Sequence, residues 1–117
     1  RFYTGDGTPK ALDDTGSGDD LVKGLKSVAI DTVKAQAAGK LAPTDWHVVK
    51  ATEVADYTVP AEVTTYRAAV RTASNTIESA ITGAADHDAF MALYVTPVDA
   101  ECNPTGNAPI NDWPEEI

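Results

Sequence analysis

Val59-Pro60-Ala61-Glu62-Val63-Thr64-Thr65-Tyr66-Arg67-Ala68-Ala69-Val70-Arg71 opens the segment that decides the fold. Proline suits the first helical position, where its missing N–H goes unneeded, and Glu62 complements the positive end of the helix dipole. From there Val63, Tyr66, Val70, Ala73, Ile77, Ala80 and Ala84 recur at alternating intervals of three and four, a heptad seam on one helical face. Gly83 is a natural stop, so the spacing predicts a helix from Pro60 to about Gly83. Glu62 and Arg67 fall at g and the following e, the spacing of an interchain ion pair in a parallel coiled coil. An exposed pair of this kind contributes only ~0.2–1 kcal/mol and sets register rather than strength. Two readings of the seam stay open. It packs against another helix of the same chain in a hairpin, or it self-associates; Ala73 and Ala80 are small, which weakens the second.

Upstream, Leu21, Leu25, Val28, Ala29, Thr32, Val33 and Gln36 form a stripe that predicts a helix from about Asp20 to Ala38. Asp19 or Asp20 is the expected cap, Gly24 an internal weak point of roughly 1 kcal/mol, and Gly39 the expected stop. Pro43-Thr44-Asp45 reads as a fresh start, giving a short separate helix from Asp45 to about Ala55, although Trp46-His47-Val48-Val49 also suits a strand. Downstream, Asp86 is a cap for a helix to about Tyr94 that carries Phe90, Leu93 and Tyr94 on its apolar side. The fold class expected is mainly α: a small helical domain over 20–95, built on a helix hairpin whose central helix bears the heptad pattern. Residues 1–19 read as an extended arm with a turn at Gly5-Asp6-Gly7 and an acidic loop. Residues 96–117 hold four of the seven prolines, Pro97, Pro104, Pro109 and Pro114, so they form an extended arm with at most a minor β-hairpin.

With 117 residues the chain makes one domain. Lys+Arg 9 against Asp+Glu 18 leaves a net charge of -9, which argues against binding nucleic acid or an anionic membrane surface. No apolar run approaches the ~20 residues of a membrane span. The single cysteine, Cys102, forms no internal disulfide, and it lies in a turn context as a passive residue. A domain this small with two proline-rich arms is marginally stable alone, which predicts an oligomer or a place in a larger assembly.

Chemistry-bearing patterns are sparse. Asp86-His87-Asp88 sets an imidazole between carboxylates but has no nucleophile and no further metal ligands. His47 has no sequence partner. Arg67 and Arg71 share a helical face and serve chiefly to neutralise neighbouring carboxylates. Gly16-Ser17-Gly18-Asp19-Asp20-Leu21-Val22 matches part of a calcium-binding nonapeptide, but one copy lacks the stacked turns that complete coordination. Asp13, Asp14, Asp19 and Asp20 keep alive one rival reading, a calcium- or ligand-binding adhesion module. No catalytic residues, no metal site and no cofactor are expected, and the chain is not expected to be an enzyme.

Three stretches together carry a resemblance: Asp45-Trp46 leading into a helix, Val59 to Arg71 with its Tyr66-Arg67 pair, and Ala108-Pro109-Ile110-Asn111-Asp112-Trp113-Pro114-Glu115. They resemble the tail-fibre assembly proteins and related small tail proteins of tailed bacteriophages over roughly 41–116. In that family a much shorter linker precedes the Asp-Trp-Pro, so resident virion part and assembly chaperone both stay open. The resemblance implies a structural or assembly component of a phage tail, assembled in the host cytoplasm and located in the virion. Its partner would be a tail or fibre protein. Contact would rest on Val63, Tyr66, Val70, Ile77 and Trp113, with Glu62 and Arg67 setting register.

Overall fold

A computed structural model describes residues 2–16 and 18–116, with Asp20 confined to its backbone. The protein is mainly helical. Helix α1 is Leu25–Glu53, α2 is Ala61–Thr82 and α3 is His87–Ala92, with short 3-10 turns at Gly18–Asp20 and Pro109–Asn111. The two long helices pack as a hairpin. Strand pairing among the described residues is limited to isolated bridges, Tyr3 with Pro9, Thr15 with Val22 and Val98 with Pro104.

The first two expected helices are one. Helix α1 runs unbroken through Gly39 and Pro43 for 29 residues, about 43 Å. Pro43 has no N–H to give the Gly39 carbonyl, a loss that breaks most helices. Tertiary packing overrides it: Ala29, Val33, Ala37 and Thr44 along one face of α1 are buried. Arg67 of α2 also reaches across beside the proline and donates from Nη1 to the Leu41 carbonyl at 3.0 Å.

The start of α1 also differs from expectation. The helix begins at Leu25, and its exposed amides are satisfied from an upstream loop. Gly24 N–H donates to Asp14 Oδ1 at 2.8 Å, Leu25 N–H to the Ala11 carbonyl at 2.8 Å, and Lys26 N–H to the Leu12 carbonyl at 3.0 Å. Gly24 therefore stands at the N-cap position rather than Asp19, with its amide held by the Asp14 carboxylate, and the Asp20 side chain lies outside the described residues. A carboxylate here also complements the helix dipole. Gly24 is required by this close approach rather than being a weak point inside the helix: an added Cβ would lie 2.3 Å from the Leu12 carbonyl oxygen.

Helix α2 follows its expected bounds closely, with Pro60 flanking its first residue and Gly83 its last. Its end is closed from across the hairpin, where Lys26 Nζ donates to the carbonyls of Thr82 at 3.1 Å and Ala84 at 2.8 Å. That places a cation on the negative end of a helix dipole. Asp86 caps α3 as expected, its carboxylate accepting from Ala89 N–H at 2.8 Å.

The core has two clusters. Ala29, Val33, Ile77, Ile81, Phe90 and Ile110 form the larger one, against which Phe2, Leu25 and Tyr94 pack. Ala37, Tyr66 and Val70 form the smaller, with Leu41 beside it, and Trp113 touches both. The first arm closes over α3: Phe2 packs edge-on to Phe90 and Tyr94, and its carbonyl lies 2.8 Å from His87 Nε2. The radius of gyration is 18.3 Å, where a compact chain of this length has ~13 Å. The accessible surface of 7636 Å² likewise exceeds the ~6,100 Å² usual for this mass.

Candidate functional site

The seam residues lie inside the chain's own hairpin. Val63, Tyr66, Val70 and Ile77 are all buried, Val70 to 0% exposure, against α1. The intramolecular reading of the seam accounts for them, and their apolar surface is already spent within one molecule. Arg67 is buried as well, and its partner is not Glu62. Its Nη1 lies 2.8 Å from Asp45 Oδ1 and 2.8 Å from Thr44 Oγ1, both on α1. Glu62 stands exposed on the first turn of α2.

Trp113 is half-buried on the same chain. Its segment returns along α2, where Pro109, Asp112, Trp113 and Pro114 line a groove floored by Ala69, Ala73, Ile77 and Ala80. The small seam positions thus have a reason: they make room for an indole ring rather than for a second helix. Lys40 of α1 holds its ammonium 5.5 Å from the centre of that ring.

One uncovered, largely apolar strip lies on the side of α1 turned away from α2, with the exposed Asp31 in the same arc. Val28, Ala35, Ala42 and Val49 recur at intervals of seven and are all exposed. With Trp46 they occupy an arc of roughly 60° opposite the buried Ala29, Val33, Ala37 and Thr44. Trp46 is 54% exposed, yet its ring is held in place. It stacks on His47 at 3.7 Å between centroids, and His47 in turn lies parallel to Tyr57 with Nδ1 2.5 Å from the phenol oxygen. Lys50 Nζ sits 4.6 Å from the Tyr57 ring centre. Sequence reasoning missed this face because Gly39 and Pro43 were read as a break. Counting the seven-residue interval through them would have found it.

Beside Val28, near the other end of the same helix, is an apolar groove of about 220 Å³. Leu25, Val28, Phe90 and Tyr94 form its walls, and Thr32 and Gln36 supply polar atoms along one edge.

Several titratable groups are engaged structurally. Hydrogen bonds from the Ser27 hydroxyl and the Gly24 amide hold Asp14 below the usual carboxylate range. Thr4 and Thr8 lower Asp6 to about 2. The Asp31 carboxylate, 2.5 Å from Lys23 Nζ, raises that ammonium, and burial raises the Tyr66 phenol. Among the described residues no group of three or more His, Cys, Asp or Glu side chains is placed to hold a metal ion. The acidic stretch carries Ser17 and the Asp20 side chain, which lie outside the described residues. Cys102 is exposed at a hairpin tip with φ 64°, a backbone conformation that favours glycine. No helix among the described residues is long and apolar enough to cross a membrane.

No protein-family model, no curated protein and no solved structure matches the chain.

Proposed function

We propose that this chain is a structural or assembly component that acts through contact with other polypeptides. The observation that carries the reading is the two-faced character of α1. One apolar face is spent on α2, while the other, with Trp46 and Val49, stays uncovered in a molecule that already exposes more surface than its mass requires. Exposed aromatic and aliphatic side chains grouped on a rigid helix suit a protein partner. Asp14, Asp86, Lys26 and Arg67 are spent on helix ends and the hairpin contact, and the reading assigns the chain no catalytic step and no cofactor.

The setting comes from the resemblance. Asp45-Trp46, Tyr66-Arg67 and Asp112-Trp113-Pro114 speak for a tailed-bacteriophage tail component, associated with a fibre and carried in or assembled into the virion. In this setting Trp113 and the α2 seam build the scaffold, and the uncovered face of α1 is the surface offered to other polypeptides. The adhesion-module alternative has less support, because the Asp14 carboxylate is committed to the start of α1.

Co-expression with the fibre subunit, followed by gel filtration and mass spectrometry of purified virions, tests the proposal. A stable complex is expected. A fixed ratio to fibre subunits in virions identifies a resident part, and a complex confined to unassembled fibre identifies a chaperone. No complex, together with absence from virions, overturns the reading.

A further inference from the structure

The uncovered face of α1 has an internal symmetry. Val28, Ala35 and Ala38 on one side of its midpoint are mirrored in position by Val49, Ala42 and Gly39 on the other. A two-fold axis through that midpoint, between Ala38 and Gly39, pairs valine with valine and alanine with alanine in an antiparallel second copy. The same operation carries Trp46 of one copy to the level of Asp31 in the other. That level is the middle of the apolar groove beside Val28, which spans Leu25 to Gln36 of α1. A two-fold perpendicular to both helices keeps a side chain on its own flank of the contact. Trp46 and the groove lie on the same flank of the helix, so the ring arrives on the groove's side.

We infer that α1 pairs with α1 of a second copy, antiparallel, with each Trp46 seated in the other's groove between Leu25, Val28, Phe90 and Tyr94. The inference rests on the contact reading above and names the partner for that face. Three observations carry it. Trp46 is exposed but held by stacking on His47, so little side-chain freedom is lost on docking. The groove of about 220 Å³ is open at the level the symmetry demands. Ala35, Ala38, Gly39 and Ala42 between the two knobs let the backbones approach closely enough for both rings to reach. An isologous contact needs one patch to complement itself, and a knob and a hole placed symmetrically about one midpoint do so. At the rim, Glu53 of one copy comes level with Gly24 of the other, beside the Lys23–Asp31 ion pair.

Sedimentation equilibrium on the Cys102→Ser chain, paired with disulfide trapping, tests this. A dimer at micromolar concentration is expected. Trp46→Glu should weaken it at least about 100-fold while the helical circular dichroism stays unchanged, and Ala38→Arg should do the same from the centre of the contact. Val28→Cys and Val49→Cys chains should each fail to cross-link with themselves, since like positions lie about 30 Å apart along an antiparallel pair. Mixed together, they should form a disulfide. A chain that stays monomeric at several hundred micromolar, a dimer indifferent to Trp46→Glu, or self-cross-linking of Val28→Cys overturns the pairing. A monomer that still binds the fibre subunit overturns only the pairing and leaves the contact reading standing. A Trp46-dependent dimer that binds no tail protein supports the pairing and removes the phage-tail setting.

Discussion

Arg67 Nη1 lies 2.8 Å from Thr44 Oγ1, and that hydroxyl donates to the Leu41 carbonyl at 3.0 Å, so one guanidinium on α2 ties together the turn of α1 that contains Pro43. Arg67 is 7% exposed, whereas the Asp45 carboxylate it also meets has a side chain 57% exposed. The two ends of this ion pair therefore differ in energetic weight. Arg67→Ala should destabilise the protein by about 2–4 kcal/mol, because it removes a buried side chain together with its charge-assisted hydrogen bonds to the Leu41 carbonyl and the Thr44 hydroxyl. Asp45→Asn should cost about 0.5 kcal/mol, since water replaces the carboxylate. Urea denaturation of the two variants checks the asymmetry; equal losses would show that the ion pair, not the buried network, is what matters.

Gly24 and Gly39 should respond oppositely to a methyl group. At Gly24 the new Cβ would sit 2.3 Å from the Leu12 carbonyl oxygen and 2.5 Å from the Asp13 carbonyl oxygen, backbone atoms that cannot swing aside. Gly24→Ala should cost about 2 kcal/mol or more and loosen the upstream loop. At Gly39 the Cβ would meet open space on a helical backbone, so Gly39→Ala should add up to about 1 kcal/mol. Thermal melts in the Trp46→Glu background, where the chain is expected to be monomeric, give both signs. Destabilisation by Gly39→Ala would argue for a real break in α1 at that point.

Trp113 should behave as a core residue. Trp113→Ala strips the indole from the groove over Ala73 and Ala80, and the expected loss is about 2–3 kcal/mol in urea unfolding of the isolated chain. An unchanged midpoint would mean that the ring serves another chain instead.

Acid should weaken the protein over a narrow window. Asp6 and Asp14 have folded pKa values below their unfolded ones, so the stability they contribute is present above about pH 4 and drains away as pH falls through the folded values, near 2 for Asp6. The Tyr66 phenol is shifted upward by burial, the opposite case: its contribution is intact below about pH 10 and fades as pH climbs through the folded value. The melting temperature should hold between these limits. Asp14→Ala should be less stable near neutrality and should show a shallower acid slope than the parent chain; parallel slopes would remove Asp14 from the account.

The parts of the fold that were legible in sequence are those governed by one-sided patterns. Helix α2 has a single apolar stripe bounded by Pro60 and Gly83, and Asp86 is a local cap for α3, so neighbouring residues sufficed. Helix α1 was misread because Gly39 and Pro43 are locally strong stop signals, and what overrides them comes from α2, more than twenty residues away. A gap of ten residues hid the contact of Asp14 with the start of α1, and one of 22 hid the true partner of Arg67. Spacing within α2 nominated Glu62, but in a hairpin a buried cation answers to the facing helix. The seam itself was visible, though not which element covers it. The second face of α1 was concealed by the assumed break, because a seven-residue interval cannot be followed through a helix taken to have ended.

Trp113 touches both core clusters, and the chain beyond Ile110 runs across the gap between them. This strap should make the two ends of the hairpin melt as a single cooperative unit. Cut after Asp112, which leaves Ile110 in the larger core, a hairpin with two small separate cores would keep its helices yet lose its sharp transition, opening from the Tyr66 end first while the Phe90 end held.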